Sequence, residues 1–439
     1  MRKLIRRVFP GLLLILAAAG CGSSSNSTPD YAKSLQAKLQ AVVEQQQIPG
    51  AVVLIRSPSK GNWSASFGSR EVGSTERIGV GDYYRIASNT KTMTGTVILQ
   101  LVQEGQLSLD DPVSKYRPEV PNGQNITIAE LLNMRSGLFD YLSTPEWLEE
   151  EDQDHQRVWT PEELEALAFA YPPRFKPGLG FNYSNTNTLL LGLNAEQVTG
   201  DSLETLFQDR IFTPLGLKHT YLPDSTTNTI DDPHAQGYCI GSFITGCMPV
   251  PNQPNELNDV TDTNPSWAWA AGGVISTPRD LARYVKALVG GGLLSPKLQR
   301  QRLESLTPVP GRPSSIRYGY GLLTLGPLIG HTGDFPGFNS VMYYDPGHQL
   351  TVIAYATTNF TATGGLAAEE LMKPIFAQFY PGRPEHRRET EVRRSCRSRQ
   401  SSLRQPTGRI PQRTLAAMNN IAAWSPGYER YSPVVMTLP

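Results

Sequence analysis

A serine three residues ahead of a lysine is the smallest arrangement in this chain that could do covalent chemistry: Ser88-Asn89-Thr90-Lys91. It runs into Thr92-Met93-Thr94-Gly95-Thr96-Val97-Ile98-Leu99-Gln100-Leu101, which can continue as a buried helix. Residues three apart share a helix face, so the Lys91 amine would lie beside the Ser88 hydroxyl and could take its proton. The Ser88 backbone N–H, near the helix start, would point at an incoming carbonyl oxygen. A second copy of the pattern, Ser57-Pro58-Ser59-Lys60, sits in a Pro/Gly turn with no helix behind it. Four residues alone therefore prove little, and the weight falls on two further motifs that lie later in the chain.

Tyr183-Ser184-Asn185 comes next. A tyrosine held near a lysine can carry the serine proton to the leaving group, and Asn185 would supply an amide that orients Lys91 and the substrate. Gly330-His331-Thr332-Gly333 then closes a strand. There Gly333 would let a ligand approach the backbone, and Thr332 offers a hydroxyl to a substrate carboxylate. No G-x-S-x-G element occurs, which disfavours a lipase-like Ser-His-Asp hydrolase. The six histidines show no HExxH or similar spacing, so neither a metal nor another cofactor is expected.

The elements that must hold these groups can be read coarsely from periodicity. Residues 31–47 predict an amphipathic helix with Leu35, Leu39, Val42 and Val43 on one face. Residues 50–55 and 62–67 predict a hairpin of two strands. Helices are expected at 128–134, 161–171 and 188–198, and after Thr277-Pro278, where Thr277 caps and Pro278 fits the first turn. Strands are expected at 320–323, 328–331, 340–344 and 351–356, and a last helix at 366–379. The simplest assembly is an α/β (α+β) fold: an antiparallel sheet built from both chain ends, flanked by helices, with a helical lobe inserted within about 110–265.

With 439 residues, the chain is long enough for two packed lobes plus extensions. Lysine plus arginine equal aspartate plus glutamate at 40 each, yet the balance is uneven. Arg2, Lys3, Arg6 and Arg7 precede an apolar run too short to span a bilayer, the pattern of an export signal over residues 1–21. Residues 22–30 read as a flexible tether. The segment 382–439 holds eleven arginines and four glutamates and reads either as a disordered basic tail able to touch anionic envelope polymers or as the frame-shifted translation of a GC-rich gene. The body between is mildly acidic and has nothing of a nucleic-acid surface. Cys239 and Cys247 flank a short segment that could form a disulfide-closed hairpin or remain two thiols in a loop.

The three motifs in this order resemble the serine β-lactamase-like, penicillin-binding superfamily, in the branch of class C β-lactamases, esterases and secreted D-alanyl-D-alanine carboxypeptidases. Further matching stretches are Leu131 to Leu138 (LLNMRSGL), Pro177-Gly178, Ala271 to Thr277 (AGGVIST) and Tyr318-Gly319-Tyr320-Gly321. The resemblance covers about 30 to 381, the domain expected at 31–381, and implies a transpeptidase-like fold with Ser88, Lys91 and Tyr183 as catalytic residues. It implies an oxyanion site between the backbone N–H groups of Ser88 and Asp334. Asn185, His331, Thr332 and Gly333 would bind substrate, and Ala18-Ala19-Gly20-Cys21 resembles a lipobox with Cys21 lipidated.

The expected activity is a D-alanyl-D-alanine carboxypeptidase-like hydrolase on a small peptide, with an esterase, a β-lactamase or a non-catalytic ligand-binding lipoprotein as alternatives. The expected setting is a monomer on the outer side of a bacterial membrane, lipid-anchored or secreted. His331 stands where a β-lactamase of this branch usually has lysine. A partly charged histidine there would make carboxylate recognition fade between about pH 6 and 8. Asp334 would put negative charge beside the oxyanion site.

Overall fold

The computed structural model describes residues 28–381 except Asn252. The lipobox at Cys21 and the tail from 382 lie outside the described residues. Eight strands form one wholly antiparallel sheet: β1 (Gly50–Arg56), β2 (Trp63–Gly68), β3 (Thr307–Pro308), β4 (Arg317–Gly319), β5 (Leu322–Leu325), β6 (Leu328–Phe335), β7 (Phe338–Asp345) and β8 (Leu350–Ala356). Their spatial order is β2-β1-β8-β7-β6-β5-β4-β3. An early and a late stretch of the described residues therefore meet at the β1–β8 pair, where Ala51 lies opposite Ala356 and Arg56 opposite Thr351.

Central strands of this sheet are buried on both faces, so alternation in sequence becomes alternation between two cores. Ala51, Val53 and Ile55 join Val352, Ala354 and Ala356 beneath the terminal helices α1 (Asp30–Gln45) and α6 (Ala367–Phe379). Val52, Leu54, Ile353 and Tyr355 face the opposite core, shared with the helical insertion. Leu35, Leu39 and Val43, each four residues on, give α1 its buried stripe, as the periodicity predicts.

Helix α2 (Thr90–Gln103) is buried all round except near its end, because it runs through the junction of sheet and insertion. A buried arginine fastens it: Arg302 donates to Thr96 Oγ1 at 2.8 Å and to the Thr92 carbonyl at 3.0 Å. Helix α5 (Pro278–Gly290) begins as expected, with Thr277 accepting from the Asp280 N–H.

Two expectations are corrected. The strand placed at 320–323 begins at Leu322, since Tyr320 (φ +33°) and Gly321 (φ +75°) form the turn after β4. The Cys239–Cys247 bridge forms, with Cα atoms 4.8 Å apart, but does not close a hairpin. The segment inside it is a loop, and the strand Tyr238–Ile240 pairs beyond it with Leu257–Asp259. Helix α3 (Pro145–Gln153) is an addition to the expected elements; Thr144 caps it and Pro145 opens it.

Candidate active site

Ser88 sits on a single 3-10 turn, Ala87–Asn89, just before α2. Ala87 holds φ +50°, a left-handed conformation that costs an alanine about 1 kcal/mol or more and persists only where its surroundings impose it. Those surroundings are the end of β6 and the start of β7. Asn89 Nδ2 donates to the Ile86 carbonyl (2.9 Å) and to Ser340 Oγ (2.8 Å), and Ser340 Oγ donates to the same carbonyl (3.1 Å). A Cβ at Gly333 would come within 2.2 Å of the Ile86 oxygen. Gly333 is thus needed for the close approach of β6 to the nucleophile's own turn.

Lys91 is buried with its amine among oxygens: Ser88 Oγ at 2.9 Å, Asn185 Oδ1 at 2.7 Å and the Ala271 carbonyl at 2.8 Å. Asn185 is the first residue of helix α4 (Asn185–Thr199). Its orientation is set by a residue that the motifs do not include. Asp140 Oδ1 accepts from the Asn185 backbone N–H (2.9 Å) and from its Nδ2 (3.1 Å), so the amide must turn its oxygen to Lys91. Asp140 lies two residues beyond the matching stretch that ends at Leu138, and that proximity is the only signal for it in the sequence.

Tyr183 packs beside this group, its ring centre 5.0 Å from Lys91 Nζ and edge-on to Tyr318. His331 does not reach the cleft. It is 1 % exposed, flanked by Tyr183 and Tyr318, with Nδ1 2.6 Å from the Thr332 carbonyl oxygen. Burial pulls its imidazole down to about 3. The ring is therefore neutral at pH 6 to 8, and the expected cation for substrate carboxylates is absent from this position.

Ser88, Tyr183, Asn185, Thr332 and Asp334 line one open cleft. Placing Ser88 and Asp334 on the same cavity is what an oxyanion site made by their backbone N–H groups requires. The facing wall is aromatic. Trp267 stacks on Phe335 (4.9 Å between ring centres, 12° between planes) and meets Trp147 edge-on at 5.3 Å. Phe243, Gly246 and Cys247 of the disulfide loop complete it. Beneath Trp147, one turn along α3, Glu151 accepts from Trp159 Nε1 at 2.8 Å, and burial pushes its carboxyl up to about 8. No motif in the sequence marks this wall. Among the described residues, no group of His, Cys, Asp and Glu is arranged to hold a metal ion.

A sheet from both chain ends, a helical insertion and a Ser-Lys-Asn cluster at their junction define a class, and the chain belongs to it: residues 35–374 match the Beta-lactamase family. That makes it a member of a serine-hydrolase family with the β-lactamase and penicillin-binding protein fold. Among relatives, Protein flp of Staphylococcus aureus (strain MW2) is 29% identical over 342 residues, 76% of this chain. The chain spans 64% of that relative's length. Penicillin-binding protein 4* of Bacillus subtilis (strain 168) is 26% identical over 382 residues, covering 84% of this chain and 81% of that protein. A solved D-stereospecific amidohydrolase from Streptomyces sp. superposes with a TM-score of 0.70 at 31% identity, covering 81% of this chain and all of the other.

Proposed function

We propose that this protein is a serine amidohydrolase that cleaves small amino-acid-derived amides or peptides through an acyl-enzyme on Ser88. The observation that carries the reading is the contact chain Asp140–Asn185–Lys91–Ser88 opening onto the cleft. The Asn185 and Ala271 oxygens accept from Lys91 Nζ and hold the amine 2.9 Å from the Ser88 hydroxyl, within reach of its proton.

The Ser88 Oγ then bonds to the substrate carbonyl carbon as its proton passes to Lys91. The tetrahedral oxyanion rests on the Ser88 and Asp334 N–H groups. Collapse breaks the C–N bond, and the proton returns to the departing nitrogen by way of Tyr183, beside Lys91. Water repeats the sequence on the ester, releasing the acid and restoring Ser88. Similarity to the D-stereospecific amidohydrolase supports an amide substrate.

The D-alanyl-D-alanine carboxypeptidase reading keeps two supports, the Thr332 hydroxyl on the cleft and the similarity to Penicillin-binding protein 4*, but loses His331 as its carboxylate partner. A lipid anchor on Cys21 and a place outside the cytoplasm belong to the same proposal, supported by the Cys239–Cys247 disulfide.

The deciding experiment is intact-mass spectrometry with a fluorescent penicillin, beside Ser88→Ala. A single adduct on Ser88 that the variant lacks, together with ammonia release from amino acid amides, is the expected result. Absence of both would overturn the reading. An adduct without amide turnover, with release of a C-terminal D-alanine from a peptide, would return it to carboxypeptidase.

A further inference from the structure

One asparagine touches both walls of the cleft. Strand β8 ends at Ala356, and the chain runs on through Thr357-Thr358-Asn359, buried at each position. Asn359 is 4 % exposed and borders the cleft. Its Nδ2 donates to Asp334 Oδ1 at 2.7 Å and to the Phe335 carbonyl at 2.8 Å, and its Oδ1 accepts from the Gly337 N–H at 2.6 Å. Both amide hydrogens and one lone pair therefore go to the tip of the β6–β7 hairpin, Asp334 to Gly337.

That tip carries a residue of each wall. Asp334 brings the backbone N–H of the oxyanion site, and Phe335 brings the ring on which Trp267 stacks. The amide that grips the tip is itself anchored. The Asn359 carbonyl accepts from the Ala367 N–H at 2.9 Å, at the start of α6, and two residues earlier the Thr357 carbonyl accepts from the Tyr238 N–H at 2.9 Å, at the foot of the disulfide loop. Gly337 holds φ +81°, and a Cβ there would come within 2.7 Å of the Gly237 backbone, so the tip is also wedged against the strand that leads into that loop.

An oxyanion donor works by being aimed before the charge develops, and its aim is only as good as the shell that holds it. Resting on the acyl-enzyme reading above, we propose that Asn359 is a positioning residue that sets the Asp334 N–H and the Phe335 ring together, coupling oxyanion stabilisation to recognition of the substrate's apolar group. Asn185 aims the base, and Asn359 aims the strand that receives the charge. Losing an aromatic residue disturbs chiefly one wall; losing this amide disturbs both.

The test uses the full chain and two probes, methylboronic and phenylboronic acid. A boronic acid closes onto a serine hydroxyl as a tetrahedral adduct with an oxygen where the oxyanion lies, so methylboronic affinity reads the oxyanion site and the phenyl-over-methyl preference reads the aromatic wall. Asn359→Ala is expected to bind methylboronic acid about tenfold less tightly, less than the loss of a whole oxyanion donor. It is also expected to lose about fivefold of the phenyl preference, the scale of a displaced ring contact. Asn359→Asp keeps the acceptor for Gly337 and loses both Nδ2 donations; it should follow the same pattern and carries the test if the alanine variant does not fold. Trp267→Ala should lower the preference more than the methylboronic affinity. A folded Asn359 variant that keeps both affinities, or loses one alone, overturns the coupling while penicillin labelling of Ser88 leaves the acyl-enzyme reading standing. A wild type that takes neither penicillin nor a boronic acid on Ser88 overturns the two together.

Discussion

On one side of the cleft Ser88, Lys91 and Asn185 touch through hydrogen bonds of 2.7 to 2.9 Å; on the other Trp147, Trp267 and Phe335 touch through ring faces and edges 4.9 to 5.3 Å apart. The polar side is made of groups whose identity the chemistry dictates, held at the starts of two helices. The aromatic side is gathered from four separate stretches, α3, the disulfide loop, the segment before Ala268 and the end of β6, none bound to a fixed spacing from another. A catalytic wall tolerates almost no exchange of residue type, whereas an apolar wall has only to be large and dry. Reaction is therefore expected to be set on the first side and substrate choice on the second.

Removing the nucleophile breaks that contrast most sharply. Ser88→Ala should lower acylation by about four orders of magnitude or more while leaving binding of an apolar inhibitor measurable by calorimetry. Asp140→Asn strikes the same wall one layer deeper. It alters the acceptor that orients Asn185, and a misdirected buried amide costs about 1–3 kcal/mol, or about ten- to a hundredfold in acylation rate. A merely structural role would leave the pH profile of acylation in place; loss of the Lys91 partner should shift it.

On the aromatic side the effects should appear in stability and KM. Trp267→Ala opens a cavity beside Phe335 and Trp147 and should cost about 3 kcal/mol in denaturant unfolding, with KM for aromatic amides rising more than kcat falls. Reduction of Cys239–Cys247, or replacement of both by serine, should cost about 2–3 kcal/mol in the chain-entropy model and raise KM for the same substrates, since the loop carries Phe243.

The smallest effect concerns Glu151. Unfolded it titrates near 4.5, folded near 8, so between those values the unfolded chain gives up a proton that the native protein keeps, and stability falls as pH rises. Glu151→Gln, which retains an acceptor for Trp159 Nε1, should flatten that decline, with the gain in stability present at pH 8 and nearly absent at pH 5.

Periodicity and motif spacing make most of the frame legible. The α1 stripe, the β1–β2 hairpin, the capped start of α5 and the Ser88–Lys91 contact all depend on residues within a few positions of each other. What escapes depends on distance. Asp140 meets Asn185 across 45 positions, and the Trp267–Phe335 stack joins two aromatics that local pattern gives no reason to pair. His331 misleads for the same reason. Its neighbours in sequence suggest a strand end open to substrate, and only the packing of Tyr183 and Tyr318 shows that the ring is sealed from water. The crowding at Gly333 is equally hidden, since the turn that meets it lies more than 240 positions earlier.

The pairing of β1 with β8 has a consequence for how the molecule comes into being. Strand Gly50–Arg56 emerges early in synthesis, yet its partner Leu350–Ala356 is made some 300 residues later, and the helix that seals their shared face ends only at Phe379. Closing so long a loop carries a large entropic penalty, and contacts of such separation make folding slow. The nascent chain therefore spends most of its synthesis without its central strand pair.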